Sequence, residues 1–377
     1  MRLNQPQWSN FGDLKELLAA LEPAMVVGGA VRNALMGIPI NDIDVATSHL
    51  PEEVMQKASK AGFSVIPTGI KHGTVTCVKN FAYEVTTLRI DRITDGRHAK
   101  VEFCNSWEED AKRRDFTINA LYADFNGQIY DFINGIDDIY TNRLRFIGNP
   151  DERIHEDYLR ILRFFRFYAH YGKSYEASSL EACIRLASNL SKISHERCTY
   201  EFIRLLQAKN ADIAIQLMPN DMLSAAGLPE KLEHTLKMLN QNFEQYELSW
   251  LGRVCCFGTN HSMVLSNQQR RLINQLLNLD PMYHQEDYVK WINNCAEPVL
   301  WDGIILRGRA NNPQDIAKWM QYHFPIQGRD LIEAGMDPGP EIQEKLNYLM
   351  DIFAKQPEPM AKTELLDHLK DRQKNAL

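Results

Sequence analysis

Strand-forming sequence is confined to one end of this chain. Runs of β-branched and aromatic residues occur at 24–27, 40–45, 65–66, 74–78 and 83–88, and such runs fade after roughly residue 150. Most of 175–377 instead spaces Leu, Ile, Met and Phe at helical intervals, cut at Pro219, Pro229, Pro281, Pro298, Pro313, Pro325 and Pro338–Pro340. That division predicts an α+β head with a small mixed sheet, followed by an elongated all-α remainder. The spacing predicts helices over 51–61, 107–121 and 153–171, and the polar, charged stretch 91–100 reads as a loop. At about 100–200 residues per domain, 377 residues make two to four folding units.

Composition removes several classes. The 44% apolar and 24% charged residues are in the globular range, which excludes a disordered or collagen-like bulk. No apolar run approaches the ~18 residues of a membrane helix. The N-terminal segment lacks the apolar core of a secretory signal. Seven cysteines, an odd number without a Cys-x-x-Cys pair, argue against a disulfide framework or a structural zinc site, so a cytoplasmic setting is expected. The net charge of −7 hides an asymmetry: residues 141–210 hold 12 Lys and Arg against 8 Asp and Glu. A locally basic zone in an acidic protein suits a confined phosphate-bearing ligand, or an ordinary solvated helical face.

Three clusters carry candidate chemistry. In the first, the apolar run 24–27 leads into Gly28-Gly29-Ala30-Val31-Arg32, and Asp42-Ile43-Asp44 follows ten residues after the Arg. Carboxylates at i and i+2 of a strand face one side. They repel unless a cation lies between them, and Mg²⁺ takes one or two carboxylates beside water and substrate phosphates. Paired glycines let backbone N–H groups approach a phosphate, and Arg32 adds a cationic fork. Asp-x-Asp alone could be a solvated turn; its company with Gly-Gly-x-x-Arg favours the metal reading.

The second cluster is Lys112-Arg113-Arg114-Asp115-Phe116-Thr117-Ile118-Asn119. If helical, Asp115 and Asn119 share a face and can bracket a ribose; alternatively they are a helix-start acid and a surface amide. The third runs from His155-Glu156-Asp157 through Arg160, Arg163 and Arg166 to Phe167. There Asp157 and Arg160 are helical neighbours at i and i+3, which a plain salt-bridged amphipathic helix also explains.

Taken in order, the three clusters resemble the class II tRNA nucleotidyltransferases, the CCA-adding enzymes of the polymerase β-like superfamily. The match extends over most of the chain. The residues 91–98 look like that family's flexible loop, with Asp95 and Arg97 in the switch to A addition. Gly328-Arg329-Asp330-Leu331, Gly335 and Pro338-Gly339-Pro340 look like its tail segment. The resemblance implies a catalytic head over 1–140, a base-recognising neck over 141–210, a helical body over 211–300 and a tRNA-contacting tail over 301–377. It implies template-independent addition of C, C and A to the tRNA 3′ end from CTP and ATP, by two-metal transfer with release of pyrophosphate. Mg²⁺ is the expected metal, with Mn²⁺ as a substitute.

The resemblance also implies residue roles. Asp42 and Asp44 would be catalytic and hold the metals, with Glu84 either a further carboxylate there or an exposed strand residue. Gly28, Gly29 and Arg32 would meet the triphosphate; Arg114, Asp115 and Asn119, triphosphate and sugar. Asp157 and Arg160 would read the base, supported by Arg163 and Arg166. The expected partners are nucleoside triphosphates and tRNA, at its 3′ end and acceptor/TΨC region, with no membrane and no obligate protein partner. Within the family the alternatives are a poly(A) polymerase or an enzyme limited to CC or A addition; outside it, a non-catalytic RNA-binding protein on the same fold.

Overall fold

The computed structural model describes residues 1–4, 6–94, 98–243, 246–295, 299–308 and 313–374. It divides into two units, Met1–Leu228 and Pro229–Leu377.

In the first unit, a short helix α1 (Leu14–Ala20) precedes β1 (Ala24–Val27), α2 (Gly29–Met36), β2 (Ile43–Thr47) and α3 (Pro51–Lys60). Strands β3 (Ser64–Gly69), β4 (Thr74–Val78) and β5 (Ala82–Thr87) follow, then β6 (Arg89–Thr94) and β7 (His98–Phe103). After α4 (Trp107–Lys112) come β8 (Leu121–Ala123) and β9 (Ile129–Asp131). Seven strands form one sheet in the order β3-β4-β5-β2-β1-β8-β9, with β2 and β5 parallel and the other pairs antiparallel. It is a mixed sheet, as expected.

Alternation along the strands sorts its two faces. Val26, Ile43, Val45, Val75, Cys77, Tyr83 and Val85 point to a buried side, the one α1 and α3 help to cover. On the other face Val27, Ala46 and Tyr122 join a core cluster with Leu88 and Ala111, which Trp107 borders. Asp44 and Glu84, on that same face, remain exposed.

Beyond the sheet lie α5 (Gly135–Tyr140), a short strand pair at Arg143–Leu144 and Ser174–Tyr175, α6 (Pro150–Glu156), α7 (Arg160–Tyr171), α8 (Ala177–Arg185) and α9 (His195–Leu206). Phe164, Phe165 and Phe116 are wholly buried there, with ring centroids 5.4 Å apart for Phe164–Phe165 and 6.3 Å for Phe116–Phe164.

Among its described residues the second unit forms helices and, as its strands, a single short pair at Asn242–Phe243 and Tyr246–Glu247. One of its cores gathers Val289, Tyr322, Leu331, Leu349, Phe353 and Leu365. Gly328–Glu333 forms a helix whose Asp330 accepts from the Gln327 N–H at 2.7 Å and from Lys362 at 2.7 Å. Among the described residues no helix is long and apolar enough to cross a membrane. All seven cysteines are free.

Three local expectations need correction. Residues 107–121 are not one helix: α4 ends at Lys112, a single 3₁₀ turn covers Thr117–Asn119, and β8 begins at Leu121. The Asp115 carboxylate accepts from the Phe116 N–H at 2.8 Å, a local bond that competes with helix continuation. Residues 153–171 are two helices, because Asp157 accepts from the Leu159 N–H at 3.1 Å and its extended backbone ends α6. Residues 91–100 fall largely in the ribbon β6–β7, paired from Arg89–Phe103 to Thr94–His98. A two-stranded ribbon needs no buried face, so its polar sequence reads as loop. Asp95 and Arg97 lie outside the described residues.

Candidate active site

Strand register assembles the site. Val27, the last residue of β1, is paired with Asp44, and Asp44 with Glu84 on β5. Opposed residues share a face. The turn after Val27 therefore starts beside two carboxylates. Asp42, two residues before Asp44, belongs to the same side.

Gly28 makes that turn at φ +71°, a backbone conformation that side chains resist. Its N–H donates to the Leu121 carbonyl at 3.0 Å. One turn into α2, Arg32 is buried, with its guanidinium 4.0 Å from the Tyr171 ring centre. Arg32 Nη2 donates to the Tyr171 hydroxyl at 2.9 Å, and Nη1 donates to Asn119 Oδ1.

From Asn119 a continuous polar network crosses to α7 and α9. Asn119 Nδ2 donates to Asp115 Oδ1 at 3.1 Å, so these two meet across a turn and not along a helix face. Arg163 donates to Asp115 Oδ2 through Nε at 2.8 Å and also through Nη2. Beyond it, buried Glu201 lies 3.7 Å from Arg163 Nη1 and 3.1 Å from Arg166 Nε. Burial pushes the Asp115 carboxyl up, but Arg163, Asn119 and Arg160 overcome that and hold it well below the usual carboxylate range. Its four lone-pair directions are all taken: Phe116 N–H and Asn119 on one oxygen, Arg163 twice on the other.

A second anchor fixes the neighbouring arginines. Asp110 is buried, accepts from Arg113 Nε at 2.8 Å and Arg114 Nη2 at 3.0 Å, and takes the Tyr122 hydroxyl at 2.7 Å. Burial again pushes this carboxyl up, and Arg114, Arg113 and Tyr122 bring it down to about 2. Arg114 Nη1 faces the glycine turn, 3.6 Å from where a Cβ on Gly28 would stand.

Asp157 and Arg160 do not pair through their side chains. Asp157 Oδ2 accepts from Arg197 Nη2 at 2.7 Å. Arg160 donates Nη1 to Glu156 and to the Arg153 carbonyl at 2.8 Å, and Nη2 to the Arg113 carbonyl at 3.1 Å. Of its five N–H groups, two remain for a ligand.

Twelve residues singled out from the sequence line one cleft of about 760 Å³, Gly28, Gly29, Arg32, Asp42, Asp44, Arg114, Asp115, Asn119, Asp157, Arg160, Arg163 and Arg166, whereas Glu84 is not part of its lining. The volume suits a small-molecule ligand. Nine arginines and five carboxylates line it, a wall built for a polyanion.

The Asp44 carboxyl is raised to about 6 by burial and by the Glu84 and Asp42 carboxylates, against Arg114 and Arg32. Its side chain is nonetheless open to the cleft. Crowded like charges at an accessible position fit a hard divalent cation. Among the described residues no group of three or more His, Cys, Asp or Glu side chains is arranged to hold an ion. A cation here would rest on one or two carboxylates, water and substrate oxygens, as Mg²⁺ commonly does.

Comparison with known proteins decides the family. The chain is 32% identical over 376 residues to the human mitochondrial CCA tRNA nucleotidyltransferase 1, covering 92% of this chain and 86% of that protein. This chain belongs to the CCA tRNA nucleotidyltransferase family. The CCA-adding enzyme of Ligilactobacillus salivarius is 41% identical over 364 residues, 89% of each chain. Residues 24–145 match the poly A polymerase head domain, and 175–232 match a probable RNA and SrmB-binding site of polymerase A. The Bacillus stearothermophilus CCA-adding enzyme, solved in complex with CTP, has a TM-score of 0.69 at 27% identity, covering 98% of this chain and all of that one. The Thermotoga maritima CCA-adding enzyme, solved with tRNA_CCA, shares the fold at a TM-score of 0.68 and 17% identity.

In this member of the CCA tRNA nucleotidyltransferase family, sequence reasoning passed over Tyr171 and Arg197, which line the cleft, and Asp110 and Glu201, which hold its arginines. Glu201 left a readable signal. It falls on the apolar side of α9 with Cys198, Phe202 and Leu205, where an acid needs a partner. Tyr171 and Arg197 pair with residues 139 and 40 positions away, which spacing does not disclose, and Asp110, though three and four residues before Arg113 and Arg114, reads as an ordinary helix-start acid.

Proposed function

We propose that this protein adds C, C and A in sequence to the tRNA 3′ end, using CTP and ATP, with release of pyrophosphate and no nucleic-acid template. The observation that carries the reading is the joining of a glycine turn, a carboxylate pair and an arginine-rich wall in one cleft of nucleotide size. The head (1–140) would perform the transfer and the neck (141–210) select the base, with body (211–300) and tail (301–377) meeting tRNA. The free cysteines fit a reducing cytoplasm.

Asp42 and Asp44 would hold Mg²⁺, and Glu84 would shape the field on Asp44 from the next strand. When bound, the ion lowers the pKa of the attacking RNA hydroxyl and neutralises charge on the leaving phosphates. The Gly28–Gly29 turn offers backbone N–H groups to the triphosphate, with Arg32 and Arg114 as fixed donors beside it. Asn119 keeps one amide N–H for the nucleotide sugar. Asp115 is saturated within the protein and acts as a positioning residue, orienting Asn119 and Arg163. Arg166 supports the same wall through Glu201.

Base choice follows from donor and acceptor types. Cytosine and adenine both offer an amino donor beside a ring-nitrogen acceptor. Asp157 only accepts and the remaining Arg160 N–H groups only donate, so one pair of residues suits both bases. Uracil and guanine would set a carbonyl against the carboxylate, costing about 1–3 kcal/mol in unpaired groups.

The test is extension of a tRNA lacking its CCA end with each nucleoside triphosphate alone and in combination. The expected products are two C additions from CTP, one A after them from ATP, and none from UTP or GTP. An A-only ladder would mark a poly(A) polymerase, and a stop after CC a partial enzyme. Undiminished extension by the Asp42→Ala/Asp44→Ala protein would overturn the reading.

A further inference from the structure

Helix α9 is anchored on one side and open on another. Cys198, Phe202, Leu205 and Leu206 are buried, and His170 Nε2 donates to the Arg204 carbonyl at 2.8 Å, tying α9 to α7. Arg197, Tyr200 and Arg204 stand at i, i+3 and i+7, one row along the helix. Arg197 and Arg204 line the cleft. Arg197 is spent on Asp157, whereas among the described residues Arg204 forms no ion pair. Arg204 Nη1 instead donates to the Tyr200 hydroxyl at 2.8 Å, with its guanidinium 5.6 Å from the ring centre. Tyr200 is 55% exposed, a large ring held on a rigid helix at the edge of an arginine-lined cleft.

The nucleotide roles proposed above leave this pair unused. Extension also needs the RNA terminus to enter the same cleft. Single-stranded RNA calls for two chemistries: a cation for the phosphate and a flat apolar face for the base. Arg204 and Tyr200 offer both, already joined. We propose that the Tyr200–Arg204 pair is the subsite for the single-stranded 3′ end of the acceptor RNA, with Tyr200 stacking on a base near the terminus and Arg204 taking the adjoining phosphate. This rests on the reading of the protein as an RNA-extending enzyme, and it names the residues that receive the strand.

The test needs no catalysis. An RNA hairpin with a short single-stranded 3′ end, carrying 2-aminopurine in that overhang, is titrated with protein in the absence of nucleotide. Stacking on Tyr200 quenches the probe. Tyr200→Ala is expected to lose that quench and weaken binding about tenfold, while Tyr200→Phe and Tyr200→Trp retain both. Arg204→Ala is expected to weaken binding and make the salt dependence shallower by about one phosphate contact. A blunt hairpin should bind wild type and Tyr200→Ala equally. CTP affinity and the circular dichroism of Tyr200→Ala should match wild type, which separates lost stacking from lost folding. An unchanged quench and affinity in Tyr200→Ala would overturn the proposal. So would an equal loss on the blunt hairpin, which would point to a duplex contact. If wild type failed to add C and A, the functional reading would fall, while this titration would still decide the subsite.

Discussion

Arg163 Nε donates to Asp115 Oδ2 at 2.8 Å, joining α7 to the turn after α4 across 48 residues of sequence. The carboxylate is buried and the guanidinium is largely so. Removing one partner of such a pair leaves an uncompensated charge, at a cost of about 3–5 kcal/mol. Asp115→Ala should therefore lower the free energy of unfolding by about that amount in urea. Its kcat/KM should fall about 100-fold or more for CTP and ATP alike, because Asn119 and Arg163 lose their common anchor. Steady-state kinetics under conditions where the variant stays folded separate the two effects.

Asp110 gives the protein an acid-side dependence. Its carboxyl is held at about 2 in the folded state against an ordinary value near 3.8, so folding favours the ionised form. Its contribution is fully present above about pH 4 and is lost as pH falls through 2. The shift amounts to about 2 kcal/mol. Between pH 5 and pH 2, wild type should lose about 2 kcal/mol more stability than Asp110→Asn, read from urea midpoints at both pH values.

The two glycines before Arg32 should respond differently. Gly28→Ala places a side chain at φ +71°, ψ −120°, and should cost about 1–3 kcal/mol of stability although the space for a Cβ is ordinary. Gly29 has no positive φ, and a Cβ there meets only the end of Arg32, at 3.6 Å. Gly29→Ala should keep the wild-type melting temperature while raising KM for both nucleotides, since the added methyl stands where phosphate would approach the backbone.

Tyr171 sets the position of Arg32 from the far end of α7. Tyr171→Phe keeps the ring under the guanidinium and removes one acceptor, a loss of about 1 kcal/mol. KM for CTP and for ATP should rise together by about fivefold, with the C-to-A selectivity unchanged. A change confined to one nucleotide would contradict the role.

Local spacing made the first part of the site readable. Gly28-Gly29 and Asp42/Asp44 sit at the ends of short strands, and alternation alone puts both carboxylates on one side. Asp157 and Arg160 are close as expected, but for a different reason: the Asp157 carboxylate breaks the helix, and each side chain finds its own partner. Asp110 left only an ordinary local trace, an acid three and four residues before two arginines, and Tyr171 left none. Asp110 reads as one more acid at a helix start, and Tyr171 as one more aromatic in an apolar helix. The fold brings Arg32 to Tyr171 from 139 residues away, and for Asp110 it adds burial and the Tyr122 hydroxyl to the nearby Arg113 and Arg114. The β6–β7 ribbon was hidden because pairing of two polar strands satisfies the backbone without an apolar pattern.

The chain of contacts from Arg32 through Asn119, Asp115 and Arg163 to Glu201 means that, in the proposed roles, the groups meeting phosphate and sugar would share one mechanical frame with the wall beside the base. A designer who wants altered base preference will find those interior members poor handles, because each change retunes the whole ensemble. Arg197 is the better lever: it holds Asp157 from the solvent side, outside that frame.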